Sequence, residues 1–523
     1  MRQKSKNEAL VLGLSLAITG SLLVGGGWWA SQSGLFQLSS IGNQLGDVNR
    51  HAKVKIKVLG DTFSGYSTLR SAAFQGTLTE SGIALNYSDE FDQAKRAAAL
   101  NQGKADLIVT TLDQFLTHQP KGKIVALIDR TVGADAVVLN TRRYPQLKSL
   151  LNLDTLVKQQ QATGERLKIV FAGDTPSEFL ATVLDTKFDN FNLADFEVVR
   201  VVDASEAWKQ MQEPNSNVAL AVLWEPFVTA AKLQGNTVVL SSGDAPKVIV
   251  DVAVASDRIL RSHPQAVQEF VEAYYRRIDA SVQDKTGLTQ QIASDGNLSN
   301  SEAAAVVKGI QFFTSVEAKD WMESGTFSKR IGAIAGILTL SGRISHLPTN
   351  SAELFTAQFL NPAANQTATL IKMIAEDNPE LASRLKGSSS ATLVAHVSDA
   401  QVKLANDIGN LKVRGEVKFE TGSAQLTNQG RQTLDKLVAE ISEFNPSTVA
   451  VKVQGHTSQT GSTEFNQKLS QDRATVVVNY LKSKNPAHKF VAEGLGFSQP
   501  LPGAEPSSPA NQRTVIRLVR IAF

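Results

Sequence analysis

The sequence predicts an α/β protein with several folded units behind an N-terminal transmembrane helix. Its 523 residues exceed the usual size of one domain, so two or three units are expected. Short apolar runs alternate with amphipathic stretches in the middle of the chain and again near its end, which is typical of sheets covered by helices. A long uncharged run near the N-terminus adds the membrane-spanning element.

The composition excludes several classes of protein. The 53 Lys and Arg residues nearly balance the 50 Asp and Glu residues, and the net charge of +3 argues against a dedicated nucleic-acid binder. Because cysteine is absent, a disulfide framework, a cysteine zinc site, a thiol nucleophile and a lipidated N-terminal cysteine are excluded. The seven histidines lack the spacing of metal ligands, so we expect no metal and no cofactor.

The N-terminal charge pattern predicts where the chain resides. Three cations stand within the first six residues, and residues 1–8 are predicted to stay in the cytoplasm. Residues 9–30 form an apolar run without a charge after Glu8, and as a helix they would reach about 33 Å, enough to cross a hydrocarbon core of about 30 Å. Trp28 and Trp29 suit the far membrane interface. We predict a retained anchor, with a cleaved signal peptide as the alternative, and a polar tether at 31–52.

Residues 53–330 predict a two-lobed α/β unit. A β-α-β-α-β order occurs twice in series, which favours two lobes over one large sheet. The first set is strand Val54–Leu59, helix Ser64–Phe74, strand Ile83–Tyr87, helix Phe91–Asn101 and strand Ala105–Thr110. The second set is strand Lys168–Phe171, helix Thr175–Thr186, strand Glu197–Val202, helix Ser205–Gln212 and strand Val218–Leu223. Residues 331–410 predict a helical connector.

The turns after the first strand of each set could hold a ligand. Asp61–Tyr66 and Gly173–Glu178 place hydroxyl residues where a helix begins, and free N–H groups there can bind an anionic or polar group. The same residues also serve as ordinary caps, so both interpretations stay open. Asp174 and Glu178 could pair as acid and base, but such carboxylates commonly complement the helix dipole. Since no nucleophile elbow, phosphate-binding loop or HExxH motif occurs, we do not expect an enzyme.

Several segments of the two-lobed unit also carry a resemblance to a known family. They are Phe63–Tyr66, Ala105–Asp113, Gly133–Asp135, Thr175–Phe179, Trp224–Pro226 and Val250–Val252. With them, residues 52 to 325 resemble the nitrate/sulfonate/taurine type of ABC-transporter substrate-binding protein. The resemblance implies a type II periplasmic-binding-protein-like fold that closes over its ligand by hinge motion. Lobe 1 would hold about 53–135 and 250–330, lobe 2 about 136–249, with the hinge near Gly133–Leu139 and Val248–Ala255.

By that resemblance, candidate ligand-binding residues lie between the lobes. They are Ser64, Gly65, Tyr66, Thr111, Asp113, Asp135, Thr175, Trp224, Glu225 and Asp251. Tyr66 and Trp224 could stack on a planar ligand or belong to the core. Four of the candidates are acidic, which disfavours a simple anion such as nitrate and fits an amine-bearing ligand or no diffusible ligand. A small polar solute and an ABC permease are the partners that this resemblance implies.

Residues 411–523 predict a separate α+β domain of β-α-β-α-β-β order. Its predicted elements are strand Val413–Phe419, helix Asn428–Phe444, strand Thr448–Gln454, helix Ser462–Lys484 and strands Phe490–Leu495 and Thr514–Ile521. The segments Gly455–Gly461, Asn466–Ala474, Gly494–Pro500 and Asn511–Arg513 follow one another at suitable spacing. With these segments, the domain closely resembles the OmpA-like peptidoglycan-binding domain.

That resemblance implies noncovalent binding of a diaminopimelate-containing stem peptide, whose side chain presents an ammonium and a carboxylate. The implied binding residues are Thr457, Ser458, Asn466, Leu469, Arg473 and Arg513. Arg473 matches the family arginine, which can grip a carboxylate through its planar guanidinium. Ser458 stands where the family has aspartate, so one charge-assisted hydrogen bond is lost and affinity should fall about tenfold. Asn466 could instead stabilise the turn.

Together these features predict a cell-envelope protein with a single-pass inner-membrane anchor and most of the chain in the periplasm. It would bind peptidoglycan through its C-terminal domain and carry a solute-binding module. Two alternatives stay open: a substrate-binding receptor of an ABC-type uptake system, or a structural or sensor scaffold whose lobes bind no ligand. A receptor held at both ends cannot diffuse to its permease, which weighs against the first alternative. No nucleic-acid partner is expected.

Overall fold

The computed structural model of the protein describes residues 53–225, 227–246, 248–387, 397–420 and 422–521. The predicted basic segment, anchor and tether lie outside these residues. Within the described ranges, no helix is both long and apolar enough to cross a lipid bilayer.

The strands of the described residues fall into three sheets. In chain order they are β1 (Val54–Gly60), β2 (Ile83–Asp89), β3 (Leu107–Thr111), β4 (Gly122–Thr131), β5 (Asp135–Leu139), β6 (Lys168–Ala172), β7 (Glu197–Val201), β8 (Val218–Trp224), β9 (Thr237–Ser241), β10 (Val250–Ser256), β11 (Ile310–Phe312), β12 (Asn406–Asn410), β13 (Val449–Gly455), β14 (Phe490–Gly494) and β15 (Thr514–Arg520).

Helices cover these sheets. They are α1 (Ser67–Arg70), α2 (Ala72–Glu80), α3 (Gln93–Asn101), α4 (Leu112–His118), α5 (Leu150–Ala162), α6 (Pro176–Lys187), α7 (Ala204–Gln212), α8 (Phe227–Leu233), α9 (Asp257–Ser262), α10 (Pro264–Gln283), α11 (Thr286–Gly296), α12 (Asn300–Lys308), α13 (Ser315–Glu323), α14 (Thr326–Leu340), α15 (Asn361–Ile374), α16 (Pro379–Leu385), α17 (Asp399–Leu404), α18 (Asn428–Ile441) and α19 (Thr463–Lys484). Short 3-10 turns lie at Ser64–Tyr66, Leu193–Asp195, Ser351–Leu354, Gln358–Leu360 and Pro509–Asn511.

Two of the sheets form two lobes. Lobe 1 contains the six-stranded sheet β11-β4-β10-β3-β1-β2, and lobe 2 contains the five-stranded sheet β7-β6-β8-β5-β9. The chain passes from lobe 1 to lobe 2 between β4 and β5 and returns between β9 and β10. Every residue of β3, β5 and β10 is buried, as expected for strands covered on both faces. The predicted α/β class is confirmed, and the two lobes are connected by two crossings.

One predicted helix of lobe 1 is wrong. The single helix expected at Ser64–Phe74 is a 3-10 turn followed by the two separate helices α1 and α2. Ser71 interrupts it, because its backbone is extended and its side chain accepts a hydrogen bond from the N–H of Phe74. The serine side chain therefore begins a new helix at this point and ends the preceding one. Serine favours such a break because its hydroxyl can hydrogen-bond nearby backbone groups in place of the helical hydrogen bonds.

Helix α14 contacts both lobes. It packs against α4 of lobe 1 and against α6 of lobe 2, and its buried side chains include Ile331, Ile334 and Leu338. Helices α15 and α16 pack against α10 of lobe 1. Part of the predicted connector is therefore in contact with the two-lobed unit.

The third sheet belongs to the C-terminal domain and has the order β12-β15-β13-β14. The predicted strand Val413–Phe419 is wrong, because the strand that pairs with β15 is β12, at Asn406–Asn410. Gly415 adopts a φ of 123°, outside the region of extended strands for L-residues, and interrupts the segment that looked like a strand. The β-α-β-α-β-β order is kept, with its first strand earlier in the chain.

The C-terminal domain packs directly on lobe 2. Phe188, just after α6, pairs antiparallel with Leu411, and two backbone hydrogen bonds of 2.8 and 3.0 Å flank this pair. The fully buried Phe188 ring meets the ring of Phe444 edge-on at 6.1 Å. Ion pairs surround the contact: Lys187–Glu440, Arg330–Glu443 and Asp244–Arg520. Because Arg330 lies on α14, the domain contacts this helix as well as lobe 2.

We expect Phe444→Ala to lower the free energy of unfolding of the full-length protein by about 3–5 kcal/mol, because it removes a buried ring and leaves a cavity. The denaturant midpoint, followed by circular dichroism, measures this change. Phe465→Ala is the matched control, since Phe465 is 55% exposed and should change stability by no more than about 0.5 kcal/mol. Equal midpoints for the two variants would contradict a packing role for Phe444.

Candidate functional site

Three neighbouring strands of lobe 1 place a row of polar side chains side by side. In the antiparallel register, Asp251 of β10 lies opposite Thr111 of β3 and, on its other side, opposite Asp129 of β4. Directly opposite residues project from the same face of a sheet, so the three side chains share one face. Thr111 and Asp251 belong to the predicted set, and Asp129 does not.

A short turn of lobe 1 covers this row. Tyr66 is buried, and its hydroxyl donates a short hydrogen bond to Asp251 Oδ1. A Cβ added at Gly65 would collide with Asp129 Oδ2, so only glycine allows the backbone to approach this carboxylate so closely. Ser64 is half-buried at the start of the turn. The structure therefore brings these three predicted residues to the two carboxyl groups.

Asp129 is a fully buried carboxyl group without a hydrogen bond. Its exposed fraction is 0%, and neither oxygen has a hydrogen-bond partner within the described residues. Burial raises the pKa of Asp129 to about 8, against the opposing charge of Arg130 and with a smaller contribution from Asp135. Arg130 is 2.6 Å from Glu317 and forms its ion pair there. Since an isolated buried charge is costly, Asp129 must hold a proton or face a cation.

Asp251 is the second member of this carboxyl pair. Burial, followed by the charge of Asp129, raises the pKa of Asp251 well above its ordinary value. Its Oδ2 has no hydrogen-bond partner within the described residues. Two neighbouring buried carboxyl groups cannot both be ionised cheaply, so the pair titrates as one unit.

Two further predicted acids extend the row in opposite directions. Asp113 is buried in the first turn of α4, and burial raises its pKa, although the hydrogen bond from Gln114 opposes the shift. Asp135 begins β5 at the crossing into lobe 2, and burial raises its pKa to about 7. The charge of Glu225 in lobe 2 raises the pKa of Asp135 further. The acidic row thus reaches from lobe 1 to the edge of lobe 2.

The predicted residues of lobe 2 have local structural roles. Thr175 caps α6 by accepting a 3.2 Å hydrogen bond from the N–H of Ser177. The Glu225 carboxylate accepts 3.0 and 2.9 Å hydrogen bonds from the N–H and hydroxyl of Thr229 in α8. Trp224 is half-buried against the lobe 2 core. These contacts correspond to capping and packing, and they do not link the three residues to the carboxyl pair.

Arg343, which follows α14, forms ion pairs at the helix start of lobe 2. Its guanidinium forms 2.8 Å ion pairs with Asp174 and Glu178 at the start of α6. Its charge also lowers the pKa of Asp113 against the effect of burial. Burial raises the pKa of Glu178, but the hydrogen bond from the N–H of Asp174 and the nearby cations outweigh it and lower the pKa overall. The two carboxylates therefore form an ion-pair cluster, not an acid and base pair.

In the C-terminal domain, close packing of a helix on the sheet assembles a second candidate site. A Cβ at Gly455, the last residue of β13, would collide with the carbonyl oxygen of Ser470 in α19. A Cβ at Gly494 of β14 would collide with the backbone of Gln471. These glycines allow α19 to lie directly on the strand ends, which places Arg473 beside the turn that follows β13.

Arg473 is a largely buried cation without an acidic partner. The residue is 7% exposed, and its Nε donates a 3.0 Å hydrogen bond to the carbonyl oxygen of Ser423. Its guanidinium lies 5.0 Å from the centre of the Phe419 ring, and Nη1 is 3.4 Å from Gln512 Oε1. Burial lowers the pKa of Arg473. No carboxylate forms an ion pair with it among the residues that the structure covers.

Gln512 links Arg473 to Ser458. The side-chain amide of Gln512 donates a 3.2 Å hydrogen bond to Ser458 Oγ, while its oxygen faces Arg473 Nη1. Ser458 is 2% exposed, and its hydroxyl also lies 3.1 Å from Thr460 Oγ1. The serine and the arginine that were predicted from the resemblance are therefore joined through a third side chain.

The other predicted residues surround this group. Thr457 is buried, and its hydroxyl has no hydrogen-bond partner in the described part of the chain. Asn466 donates to the carbonyl oxygens of Thr460 and Ser462 at 2.9 and 3.0 Å, which matches the turn-stabilising alternative. Leu469 is half-buried. Arg513 donates to the carbonyl oxygens of Asn511 and Gln499 and so organises the following loop.

Three residues of the candidate sites were missed by the sequence interpretation. Asp129 directly follows a buried apolar run in β4. Because aspartate is rarely buried, its position there is a signal that could have identified it as a site residue. Gln512 lies between Asn511 and Arg513 in a segment that was already singled out. Arg343 carries no local signal, because its partners are 165 or more positions away in the chain.

We expect Asp129→Asn to flatten the pH dependence of stability. Asp129 ionises near 3.8 in the unfolded chain and near about 8 in the folded chain, so the folded state binds more protons between these values. Its contribution to stability is therefore present below about pH 4 and is lost as the pH rises to about 8. Urea midpoints of wild type and Asp129→Asn across this range measure the effect. Asp154→Asn is the control, because it removes one carboxylate from a partly exposed helix face. Parallel stability profiles for wild type and Asp129→Asn would contradict the raised pKa of Asp129.

Several solved structures are similar to part of this chain. The alkanesulfonate-binding protein SsuA of Xanthomonas axonopodis pv. citri, bound to MOPS, is 14% identical with a TM-score of 0.42, and the match covers 59% of this chain and 97% of that chain. The periplasmic aliphatic sulphonate binding protein SsuA of Escherichia coli is 13% identical with a TM-score of 0.44, covering 58% and 98%. The desulfurization enzyme DSZB is 12% identical with a TM-score of 0.40, covering 60% and 99%.

The C-terminal part of the chain matches the family model of the OmpA family over residues 418–513. Outer membrane protein A of Shimwellia blattae is 42% identical over 93 residues, which are 18% of this chain and 39% of that protein. Outer membrane protein A of Escherichia coli O157:H7 is 40% identical over 92 residues, 17% of this chain and 27% of that protein. This chain therefore spans well under half the length of these curated relatives. Residues 418–513 form an OmpA-family domain within a longer chain.

Proposed function

We propose that this protein binds peptidoglycan noncovalently through its C-terminal domain, is anchored in the inner membrane and carries a solute-binding module in the periplasm. The observation that carries the proposal is Arg473, a largely buried cation without an acidic partner within the described residues of an OmpA-family domain. Such a cation is costly unless a ligand supplies the missing negative charge. A carboxylate of a diaminopimelate-containing stem peptide supplies it.

The chemistry of Arg473 suits this ligand. A planar guanidinium can bind both oxygens of a carboxylate, and such charge-assisted hydrogen bonds are about twice as strong as neutral ones. The present acceptors, Ser423 O and Gln512 Oε1, are neutral, so a carboxylate can compete with them. Thr457, whose buried hydroxyl lacks a partner within the described residues, offers a further hydrogen bond.

The proposed anchor is the uncharged run at residues 9–30, with the tether at 31–52 between the membrane and lobe 1. Membrane at one end and cell wall at the other would hold the two-lobed unit in the periplasm. Because the C-terminal domain packs on lobe 2, the wall-binding domain and this lobe would be held together.

Arg473→Ala should abolish cosedimentation of the full-length protein with purified peptidoglycan, because it removes the guanidinium that is proposed to bind the ligand carboxylate. Arg431→Ala is the matched control: it removes the same charge from an exposed position on α18 of the same domain. We expect Arg431→Ala to pellet like wild type. Full retention of binding by Arg473→Ala would disprove the proposed site.

A specific observation also favours a ligand class for the two-lobed module. Asp129 and Asp251 are buried side by side, and three of their four carboxyl oxygens lack a hydrogen-bond partner within the described residues. We propose that this pair receives a small organic cation such as a primary amine. Ammonium groups offer three donors and one positive charge, which match these acceptors. Movement of the Gly65–Tyr66 turn, which covers the pair, would admit the solute.

A thermal-shift experiment on the full-length protein tests this ligand class. Putrescine should raise the unfolding temperature of wild type, because a ligand at about 100 times its Kd adds about 2.7 kcal/mol of stability. Nitrate and ethanesulfonate should have no effect. Asp129→Asn should lose the response, and Asp154→Asn should keep it. A response to ethanesulfonate alone would contradict a cation site.

The two remaining functions are distinguished by the same experiment. An uptake receptor must bind a solute, and variants that lose this binding, such as Asp129→Asn, would impair transport of that solute. A silent screen would support the ligand-free scaffold instead. That alternative is favoured by Arg343, whose ion pairs with Asp174 and Glu178 already occupy the helix start of lobe 2.

A further inference from the structure

We propose that Ser458 and Gln512 make the C-terminal site selective for stem peptides whose diaminopimelate amine has been acylated, as in a peptide cross-link. This inference rests on the proposed peptidoglycan binding and specifies which form of the peptide is bound. The selectivity arises because the site supplies a positive charge for the ligand carboxylate and neutral groups for the rest of the side chain.

The electrostatics of the site are one-sided. Arg473 is largely buried and Arg513 is half-buried, neither forms an ion pair with a carboxylate within the described residues, and burial lowers the pKa of each. His456 is buried next to the turn, and its pKa falls to about 4 through burial and the charges of Arg513 and Arg517. His456 is therefore neutral near pH 7. A carboxylate entering this positive region is stabilised, whereas an ammonium is repelled.

Because Ser458 is uncharged, the site lacks the negative charge at this position that would offset the repulsion of an ammonium group. The resembled family has an aspartate at this position, but Ser458 is a hydroxyl that is 2% exposed. An ammonium placed against it would lose water and gain no counter-charge, which is unfavourable. An amide N–H needs only a neutral acceptor, and the hydroxyl oxygens of Ser458 and Thr457 can provide one. Acylation of the ligand amine therefore changes an unfavourable group into one that fits.

Gln512 supports the same preference. In the resembled family, the N-R-R element has arginine at this position, and here a neutral amide bridges Ser458 and Arg473. The paired replacement of an aspartate and an arginine by serine and glutamine removes both charges together. Gln512 also holds Ser458 at 3.2 Å from its amide nitrogen, so the hydroxyl is kept in a defined position facing the site.

Cross-linking of peptidoglycan performs this acylation. The side-chain amine of diaminopimelate becomes an amide when a neighbouring stem peptide is joined to it, while the carboxylate next to that amine remains free. A site with a cation and no anion therefore binds the free carboxylate and favours the cross-linked form of the side chain. A site with both a cation and an anion favours the side chain that is not cross-linked, because that side chain carries a free amine and a free carboxylate.

Isothermal titration of the full-length protein with two synthetic tripeptides tests the proposal. Both peptides end in meso-diaminopimelate, one with a free side-chain amine and the other with that amine acetylated. Wild type should bind the acetylated peptide more tightly than the free one. Ser458→Asp should reverse the preference and favour the free amine by about tenfold, because it restores a charge-assisted hydrogen bond.

Ser462→Asp is the matched control. It adds the same negative charge four positions away, at the exposed cap of α19, where aspartate is an equally good capping residue. This variant should keep the wild-type ratio of the two affinities. A change equal to that of Ser458→Asp would show a long-range charge effect and overturn the role given to Ser458.

The outcomes separate this inference from the proposed function. If wild type binds the two peptides equally or prefers the free amine while cosedimentation still depends on Arg473, only the selectivity is overturned. If neither peptide binds and Arg473→Ala pellets normally, the peptidoglycan site itself is overturned. The wild-type ratio needs no variant, so the test holds even if Ser458→Asp does not fold.

Discussion

Charge that is buried without a partner is the constraint on which both candidate sites depend. In lobe 1, the strand register places Asp129 beside Asp251 under the Gly65–Tyr66 turn. In the C-terminal domain, packing of α19 on the sheet buries Arg473 beside neutral acceptors. Each arrangement costs stability in the absence of a proton or a ligand of opposite sign. The two sites therefore favour opposite chemistry, a proton or a cation beside the carboxyl pair of lobe 1 and a carboxylate beside Arg473 in the C-terminal domain.

Contacts among lobe 1, lobe 2 and the C-terminal domain hold the two candidate sites in one structure. Phe188 of lobe 2 packs against Phe444 of the C-terminal domain and pairs through its backbone with Leu411. Helix α14 adds to these contacts, because it touches α4 of lobe 1, α6 of lobe 2 and, through Arg330, the C-terminal domain. Hinge motion between the lobes would have to rearrange α14 and the Arg343 ion pairs.

The sequence predicted much of the fold because strong periodicity and capping residues act locally. The β-α-β-α-β-β order of the C-terminal domain and the alternation in both lobes follow from such patterns. The misplaced strand at Val413–Phe419 had the right alternation, but Gly415 breaks it, and the true strand Asn406–Asn410 has little apolar pattern. Helix Ser64–Phe74 failed for a similar reason, since Ser71 caps a new helix. Tertiary pairing decided the first case, and local capping decided the second.

The sequence by itself determined the class of each unit, the OmpA-like motif residues Ser458 and Arg473, and the excess of acidic candidates between the lobes. These features are visible because residue type and short spacing carry them. Only the tertiary structure decided that Asp129 joins Asp251, that Gln512 joins Ser458 to Arg473, and that Arg343 reaches from α14 to α6. The physical reason is that strand register and interface packing bring together residues far apart in the chain, and burial then sets how costly each unpaired charge becomes.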